Sequence, residues 1–172
     1  EVDSFKGKVV RPQFWPEDLD YQDKTVVIIG SGATAMTLVP AMAEQAKQVT
    51  MLQRSPTYVL SRPSEDWFAN GLRKIMPATW AYAVTRSRNT LFQEFLFKQA
   101  RKYPAMAKRL LIRQLRKQLG EDYDVEKHFT PNYNPWDQRL CLVPDDDLFK
   151  AISNGSASVV TDHIQRFTET GI

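Results

Sequence analysis

One stretch of sequence decides the fold of this chain: Thr25-Val26-Val27-Ile28-Ile29-Gly30-Ser31-Gly32-Ala33-Thr34-Ala35. Its first five residues favour β-structure, are too few for a helix and are too apolar for a strand with one solvated face. We therefore expect a strand at the centre of a parallel sheet that is covered on both faces. The glycines after it predict a tight turn, and the residues that follow predict a helix.

The turn has the spacing GxGxxA, a variant of the fingerprint with which βαβ units hold a dinucleotide. In that arrangement Gly30 makes the turn, Gly32 lets the backbone approach a diphosphate, and Ala35 keeps the helix close to the strand. The first turn of such a helix has unpaired N–H groups and partial positive charge. The predicted cofactor-binding residues of the turn are therefore Gly30, Ser31, Gly32, Ala33, Thr34 and Ala35.

A second strand is predicted at residues 48–53, which closes a βαβ-type unit of about 30 residues. Sites that use NAD place Asp or Glu at the end of this strand, where it binds the ribose 2'-hydroxyl. This chain has Gln53, Arg54 and Ser55 there instead. An arginine with a hydroxyl suits a 2'-phosphate, so Arg54 and Ser55 are predicted to bind NADP(H) in preference to NAD(H). The alternative is a buried turn that binds nothing, with Arg54 solvated.

Composition places the chain among soluble globular proteins. It has 172 residues, of which 42% are hydrophobic and 25% are charged, and this length suits one domain with room for an insertion. The single cysteine, Cys141, excludes a disulfide framework and fits a reducing, cytoplasmic setting. Because the two histidines are far apart in sequence, no metal site is predicted.

Two features of the ends and of the hydropathy bear on location. No apolar run approaches about 18 residues, which argues against a membrane span and a signal peptide. The chain lacks an initiating methionine and ends at Gly171-Ile172, so we expect it to be a piece of a longer protein.

Between residues 62 and 128 the pattern changes from α/β to helical. Ser64 is a candidate cap for a helix that runs to Met76. A long amphipathic stripe then ends near Tyr103-Pro104, and a third helix is stopped by Gly120. The stripe consists of Trp80, Val84, Leu91, Phe95 and Leu96, and the third helix has apolar residues at Ala107, Leu111, Leu115 and Leu119.

The predicted helices are strongly basic. A solvated basic face explains this charge most simply. Steering of an anionic dinucleotide, an acidic partner and peripheral contact with a membrane surface stay open as alternatives. Nucleic acid is not expected, because no recognised nucleic-acid module accompanies the charge. The one acidic residue over this span is Glu94, and the basic residues are Arg86, Arg88, Lys98, Arg101, Lys102, Lys108, Arg109, Arg113, Arg116 and Lys117.

The last part of the chain mixes loops with short elements. Residues 129–144 are rich in proline, asparagine and aromatics, which predicts an ordered functional loop without regular structure. Within it, Cys141 is interpreted as a packed residue and not as a nucleophile. The acidic run 145–147 is interpreted as an N-terminal cap for a helix at 148–152 and not as a cation site. A strand at 157–161 and the start of a hairpin at 164–168 follow.

The segment before the first strand resembles a family fingerprint. Phe5-Lys6-Gly7-Lys8-Val9-Val10-Arg11-Pro12-Gln13-Phe14-Trp15-Pro16 is similar to the FxGxxxHxxxW(P/D) motif of type I Baeyer–Villiger flavin monooxygenases, which lies just upstream of their NADPH-binding glycine turn. Phe5, Gly7 and Trp15 match the motif, whereas Arg11 replaces the family histidine. The runs 53–58, 135–139 and 144–149 resemble the ethionamide-activating branch of bacterial FAD-containing monooxygenases.

The resemblance implies an α/β fold, a Rossmann-like NAD(P)-binding sheet with an all-helical insertion. Residues 1–22 are then a fingerprint and linker segment from the flavin domain. Residues 23–61 and 129–172 form the NADP-binding domain, incomplete at its C-terminus, and residues 62–128 form the helical insertion. FAD is expected to bind mainly to the missing part of the chain.

The resemblance also implies the chemistry. NADPH reduces FAD, the reduced flavin takes up O2, and one oxygen is inserted into a ketone or oxidises a thioether, thioamide or amine. The family arginine that stabilises the peroxyflavin anion corresponds to Arg139, for which an ion pair with Asp137 or Asp145 is the alternative. The preceding family position, often lysine, is Gln138 here, so Arg54 carries more of the NADP preference. The piece alone is expected to be inactive.

Three other functions remain compatible with the sequence. An N-hydroxylating or sulfur-oxidising flavin monooxygenase would share the NADP chemistry. A non-catalytic NADP-binding module would need the glycine turn but no flavin. A basic interaction module would depend on residues 86–117.

Overall fold

The structure is a computed structural model that describes residues 2–172. The chain divides into two compact units. The first comprises the chain up to Pro56 together with Glu126–His128 and Leu148–Ile172, and the second comprises Thr57–Val125 and Phe129–Asp147. Two short 3₁₀ helices, Val2–Ser4 and Pro12–Phe14, precede the regular elements.

The regular elements are numbered in chain order. The strands are β1 (Thr25–Ile29), β2 (Gln48–Gln53), β3 (Tyr58–Arg62), β4 (Leu140–Pro144) and β5 (Ala157–Thr161). The helices are α1 (Ala33–Ala43), α2 (Trp67–Ile75), α3 (Ala78–Lys102), α4 (Pro104–Leu119), α5 (Val125–Phe129) and α6 (Asp147–Ser153). No helix of the described residues is long and apolar enough to cross a membrane.

The first unit contains a parallel sheet with the order β1-β2-β5. Ile29 pairs with Leu52 across β1 and β2, and Leu52 pairs with Val160 across β2 and β5. Helix α1 connects β1 to β2 and buries Met36 and Val39. The predicted strand–turn–helix–strand unit and the predicted strand at 157–161 are therefore confirmed.

The predicted position of β1 is wrong within the described residues. β2 is the central strand, while β1 has one neighbour and lies at an edge of the sheet. Val27 and Ile29 are 40% and 56% exposed, and burial alternates along the strand. The apolar sequence of β1 suits burial of both faces of the strand, but no described element covers the side chains of Val27 and Ile29.

The second unit contains a parallel pair of strands, β3 and β4, that the sequence analysis did not predict. Leu140–Pro144 was assigned to a loop without regular structure, and this assignment is wrong. Proline and asparagine dominate the composition before residue 140, and they masked the short apolar run that forms β4. Helix α4 buries Ile112 and Leu115 and lies against β3.

The helices of the second unit follow the predicted order with one correction. Asp66, not Ser64, caps α2, because the Asp66 carboxylate accepts hydrogen bonds from the N–H groups of Phe68 and Ala69. The Ser64 N–H donates instead to Asp145. Helices α3 and α4 end at Lys102 and Leu119, and Gly120 follows with a φ of +90° as a C-terminal stop.

The apolar stripe predicted on α3 forms one helix face, but no described element covers it. Trp80, Leu91 and Phe95 are all exposed on the described structure. The buried residues of α3 are the small Ala81 and Ala100, since a small side chain lets neighbouring helices approach closely.

The C-terminal prediction is partly wrong. Helix α6 forms where a helix was predicted, although it begins at Asp147. The hairpin predicted from residue 164 does not form, because residues 164–168 have no strand structure. Thr168 and Gly171 instead close a local turn, in which the Thr168 N–H donates to the Gly171 carbonyl at 2.8 Å.

A buried tyrosine anchors the loop that leads into β4. Tyr58 is fully buried, its hydroxyl donates to the Tyr133 carbonyl at 2.7 Å, and the two rings meet edge to face. Burial raises the pKa of Tyr58 to about 12, so the phenol remains a proton donor well above neutral pH. The Tyr133 hydroxyl in turn donates to the Arg139 carbonyl at 3.2 Å.

We expect Tyr58→Phe to lower the free energy of unfolding by about 1–2 kcal/mol, because it removes the hydroxyl of a buried side chain and leaves the half-buried Tyr133 carbonyl without its donor. Urea unfolding of the chain, followed by circular dichroism, measures this change. The control is Tyr82→Phe, since Tyr82 lies on an exposed helix face and its hydroxyl accepts a hydrogen bond from the neighbouring Arg86. Equal losses in the two variants would contradict a special role for Tyr58.

Candidate functional site

The glycine turn of the first unit joins the ends of two strands. Gly30 has a φ of +124°, a conformation that side chains rarely adopt. Its N–H donates to the Leu52 carbonyl at 2.7 Å. The turn is therefore fixed to the carboxyl end of β2, which is the edge of a parallel sheet where ligands bind.

The N-terminus of α1 is exposed and has no side-chain cap. Gly32 is the N-cap in extended conformation, and no side chain caps the helix. The first intrahelical bond runs from the Met36 N–H to the Gly32 carbonyl, so the N–H groups of the first turn lack intrahelical acceptors. Ala33 and Thr34 are exposed and no acidic residue lies in this turn. The partial positive charge of the helix end is thus open to a ligand.

Two further residues of the predicted phosphate turn are buried. Ser31 is 7% exposed and Ala35 is 5% exposed. The small side chain of Ala35 suits the close helix–sheet packing that the fingerprint requires. Ser31 contributes to the turn through its position between the two glycines.

Arg54 and Ser55 lie exposed in a bend directly after β2. Because Gly30 is bonded to Leu52, Arg54 follows the strand at the same edge as the glycine turn. The guanidinium of Arg54 forms no ion pair within residues 2–172. Its positive charge is therefore available to an anionic ligand.

Gln53 has a structural role that the sequence did not reveal. It is 1% exposed, and its amide nitrogen donates to the His128 carbonyl at 2.7 Å and to the Thr161 hydroxyl at 2.9 Å. The His128 ring nitrogen Nδ1 lies 2.8 Å from the same hydroxyl. These partners are 75 and 108 residues away, so no local pattern could have found them. Gln53 faces the interior, and Arg54 is the first side chain to face outward.

Arg139 belongs to the second unit and is exposed at the end of the loop before β4. The alternative ion pair with Asp137 is not formed, because Asp137 pairs with Arg101. Asp145 accepts a hydrogen bond from the Ser64 N–H. The Arg139 guanidinium has no ion pair in the part of the chain that the structure describes, so its charge is open to a ligand.

The loop before Arg139 is held at several points. Lys108 of α4 donates to the Pro131 carbonyl at 2.7 Å. Trp136 meets Phe97 of α3 edge to face, with ring centroids 6.1 Å apart. Trp136 has a φ of +66°, a strained conformation that persists only where the surroundings enforce it. Sequence analysis did not identify these anchors of the loop.

Cys141 is packed in the interior, and Asp146 of the acidic run 145–147 is held by hydrogen bonds. Cys141 is buried, and burial raises the pKa of its thiol. A protonated, buried thiol fits the interpretation of Cys141 as a packed residue. Asp146 accepts a hydrogen bond from Gln118 and donates its N–H to Ser61. No group of three or more His, Cys, Asp or Glu side chains among residues 2–172 could hold a metal ion.

The fingerprint residues include one tight contact. A Cβ atom on Gly7 would lie 2.3 Å from the Phe5 ring. A side chain at residue 7 would therefore require the Phe5 ring to move. Arg11 and Trp15 are exposed within the first unit, and Trp15 does not pack as an anchored aromatic would. Arg11 forms no ion pair within the described residues.

The N-terminal segment is also tied to the C-terminal segment. The Lys6 N–H donates to the Glu169 carbonyl at 3.0 Å, and the two side chains form an ion pair at 2.6 Å. This pairing fixes the start of the fingerprint within the first unit.

Known proteins are similar in sequence to this chain over nearly its whole length. It is 54% identical over 171 residues to the FAD-containing monooxygenase EthA of Mycobacterium tuberculosis and 55% identical to the probable FAD-binding monooxygenase AlmA of Acinetobacter baylyi. Each match covers 99% of this chain but only 35% or 34% of the relative. The chain thus spans about a third of the length of these relatives.

Solved structures of larger proteins share the fold. The complex of OTEMO with FAD and NADP has a TM-score of 0.69 at 21% identity, and the match covers 99% of this chain and 40% of that one. Oxidised steroid monooxygenase bound to NADP has a TM-score of 0.68 at 20% identity, and the match covers 93% of this chain and 37% of that one. The predicted α/β, Rossmann-like fold class is confirmed.

The sequence resemblance is tested by a family model. The model of flavin-binding monooxygenase-like proteins matches residues 1–172. This match extends over the fingerprint, the glycine turn, the helices and the Arg139 loop, and it agrees with the relatives that are named as FAD-containing monooxygenases. The chain belongs to the flavin-binding monooxygenase-like family.

Proposed function

We propose that this chain supplies the NADP(H)-binding part of an FAD- and NADPH-dependent monooxygenase of the Baeyer–Villiger type. The observation that carries the proposal is the uncapped N-terminus of α1, entered through Gly30 and Gly32, with the unpaired Arg54 at the same sheet edge. These groups can hold a diphosphate and a 2'-phosphate at once. The family match supports a flavin enzyme around this site.

The nucleotide would be held mainly through the backbone. The N–H groups at Gly32, Ala33 and Thr34 would face the diphosphate, and the exposed surface of this turn leaves room for it. Arg54 would form a charged, two-point contact with the 2'-phosphate, and the Ser55 hydroxyl would add a hydrogen bond. Burial of Gln53 supports this assignment, because it keeps a competing side chain away from the ribose.

FAD enters the proposal through the relatives, which are named as FAD-containing or FAD-binding monooxygenases. The chain covers about a third of those relatives, and we propose that FAD is bound mainly outside the matched third. When bound and reduced by NADPH, FAD would activate O2 so that one oxygen atom enters the substrate and the other leaves as water. The proposed substrates are ketones, thioethers, thioamides or amines, and the proposed location is the cytoplasm.

Arg139 is the proposed catalytic residue of this chain. Its guanidinium is exposed and unpaired, and the loop that carries it is fastened by Tyr58, Lys108 and Phe97. A guanidinium stays charged when water is excluded, and a fixed positive charge stabilises negative charge that develops on a nearby oxygen. The contact between Phe5 and Gly7 supports the Baeyer–Villiger assignment, because both residues belong to that fingerprint.

Arg54→Ala should weaken binding of NADP+ by about ten- to a hundred-fold, or about 1.5–3 kcal/mol, and should leave binding of NAD+ nearly unchanged. Calorimetric titration of the folded chain with each nucleotide measures both effects. The matched control is Lys47→Ala, because Lys47 is an exposed cation at the opposite end of β2.

An equal loss in the Lys47 variant would show that the general charge of the unit, and not Arg54, holds the nucleotide. Absence of binding to the folded chain would call for the same titration on the intact protein. Absence of binding there as well would refute the proposed nucleotide site.

Arg139→Ala in the intact protein should lower the rate of ketone-to-ester conversion by about a hundred- to a thousand-fold, since one stabilising charge is removed. The affinity for NADP+ should change less than about two-fold, because the phosphate contacts are assigned to other residues. Product analysis by gas chromatography and nucleotide titration test the two statements. Gln138→Ala is the control, since it removes an exposed neighbouring side chain and keeps the positive charge. A variant of Arg139 with full ester formation would exclude its catalytic role.

A further inference from the structure

Helix α3 has an apolar stripe that nothing in the described structure covers. Trp80, Val84, Leu91 and Phe95 follow one another at spacings of four, seven and four residues, which places them on one helix face. They are 69%, 41%, 66% and 56% exposed. The stripe is about 22 Å long at the helical rise of about 1.5 Å per residue. Large apolar surfaces of this kind mark interaction sites.

Basic residues follow this stripe along α3 and are also concentrated in the neighbouring helix α4. Lys98 and Lys102 follow Phe95 by three and seven residues and so lie on the same face toward the end of α3, where Lys98 forms an ion pair with Glu94, the one acidic residue of this helix. Residues 78–119 contain ten basic residues and one acidic residue, whereas the rest of the chain contains thirteen basic and nineteen acidic residues. The positive charge of the chain is therefore concentrated on α3 and α4.

Helix α4 separates its faces clearly. Ile112 and Leu115 lie on the buried side. The opposite side has an exposed set of two apolar and three basic residues without an ion pair in the described part of the chain: Met106, Arg109, Leu110, Arg113 and Lys117. This face combines apolar side chains with cations and has no acidic residue.

We propose that these two helices dock the protein onto an anionic lipid surface. The docking surface consists of the α3 stripe (Trp80, Val84, Leu91 and Phe95), the two lysines that follow it (Lys98 and Lys102) and the exposed α4 set. Trp, Phe and Leu side chains enter the boundary between headgroups and acyl chains, while Lys and Arg remain with the phosphates. The apolar and the basic residues of this docking surface thus each have a partner in an anionic bilayer.

Charge complementarity favours lipid over the other occupants. A second copy of this chain would bring two basic surfaces together, and like charges repel. A nucleic acid would match the cations, but Val84 and Leu91 would gain nothing from a phosphate backbone. An anionic bilayer satisfies both the cations and the aliphatic side chains.

The test uses the intact, FAD-loaded protein and sedimentation with vesicles of phosphatidylcholine, with and without phosphatidylglycerol, at about 0.1 M salt. Binding to the anionic vesicles is expected, with little binding to the neutral ones. The combined variant Arg109→Gln, Arg113→Gln and Lys117→Gln should bind about a hundred-fold more weakly. Leu91→Gln with Phe95→Gln should also lower binding by at least about ten-fold, without loss of charge.

The matched control removes three exposed cations from the first unit, as Lys8→Gln, Lys47→Gln and Arg166→Gln. This variant should bind within about two-fold of the unmodified protein. A loss as large as that of the α4 variant would overturn the proposal, because attraction would then follow net charge and not this surface. Failure of the unmodified protein to sediment with anionic vesicles would also overturn it.

Two further measurements distinguish the other occupants of the α3 stripe. If the Leu91 and Phe95 substitutions lower the melting temperature of the intact protein by several degrees, the rest of that protein covers the stripe and the proposal fails. If they convert a dimer to a monomer in sedimentation velocity, a second copy covers it and the proposal also fails. Unchanged melting temperature and oligomeric state together with weaker vesicle binding support the lipid surface.

Discussion

The parallel pairing of β1 with β2 is the constraint on which the proposed nucleotide site depends. Parallel strands bring their carboxyl ends to one edge of a sheet, and the hydrogen bond from the Gly30 N–H to the Leu52 carbonyl holds the glycine turn at that edge. The turn can then leave the sheet only through a backbone conformation that favours glycine. As a result, a helix end with unpaired N–H groups and an outward-facing arginine lie at the same edge, although Arg54 follows Gly30 by 24 positions in the chain.

The second unit uses the same principle for a different group. Its short parallel pair, β3 and β4, places the end of a long loop beside a strand, and the loop itself has no regular hydrogen bonding to hold it. Side chains from β3, α3 and α4 supply the missing support through Tyr58, Phe97 and Lys108. A loop supported at three points loses little freedom when it meets a ligand, which is the condition for a charged group to act with a defined direction.

Local patterns predicted those elements whose causes are local. The apolar runs of β1, β2 and β5 and the helical spacing of α4 were sufficient, and the fingerprint around Phe5 and Gly7 was sufficient for the family. The cap at Asp66 was missed because Ser64 has the same capping ability two residues earlier, and only the hydrogen bonds distinguish them. β4 was hidden by the prolines and asparagines before it. Periodicity identified the stripe of α3 but could not show whether another element covers it, since amphipathicity describes one surface and not its partner.

The position of Gln53 connects cofactor choice with folding. Its amide donates to a carbonyl and a hydroxyl in the interior of the first unit, and a carboxylate at this position could donate to neither. An aspartate or glutamate of the kind that reads an unphosphorylated ribose would be a buried charge facing the His128 carbonyl oxygen. The proposed preference for NADP(H) over NAD(H) therefore has a barrier to change that is independent of nucleotide affinity: an acidic residue in place of Gln53 would also remove the interior contacts with His128 and Thr161.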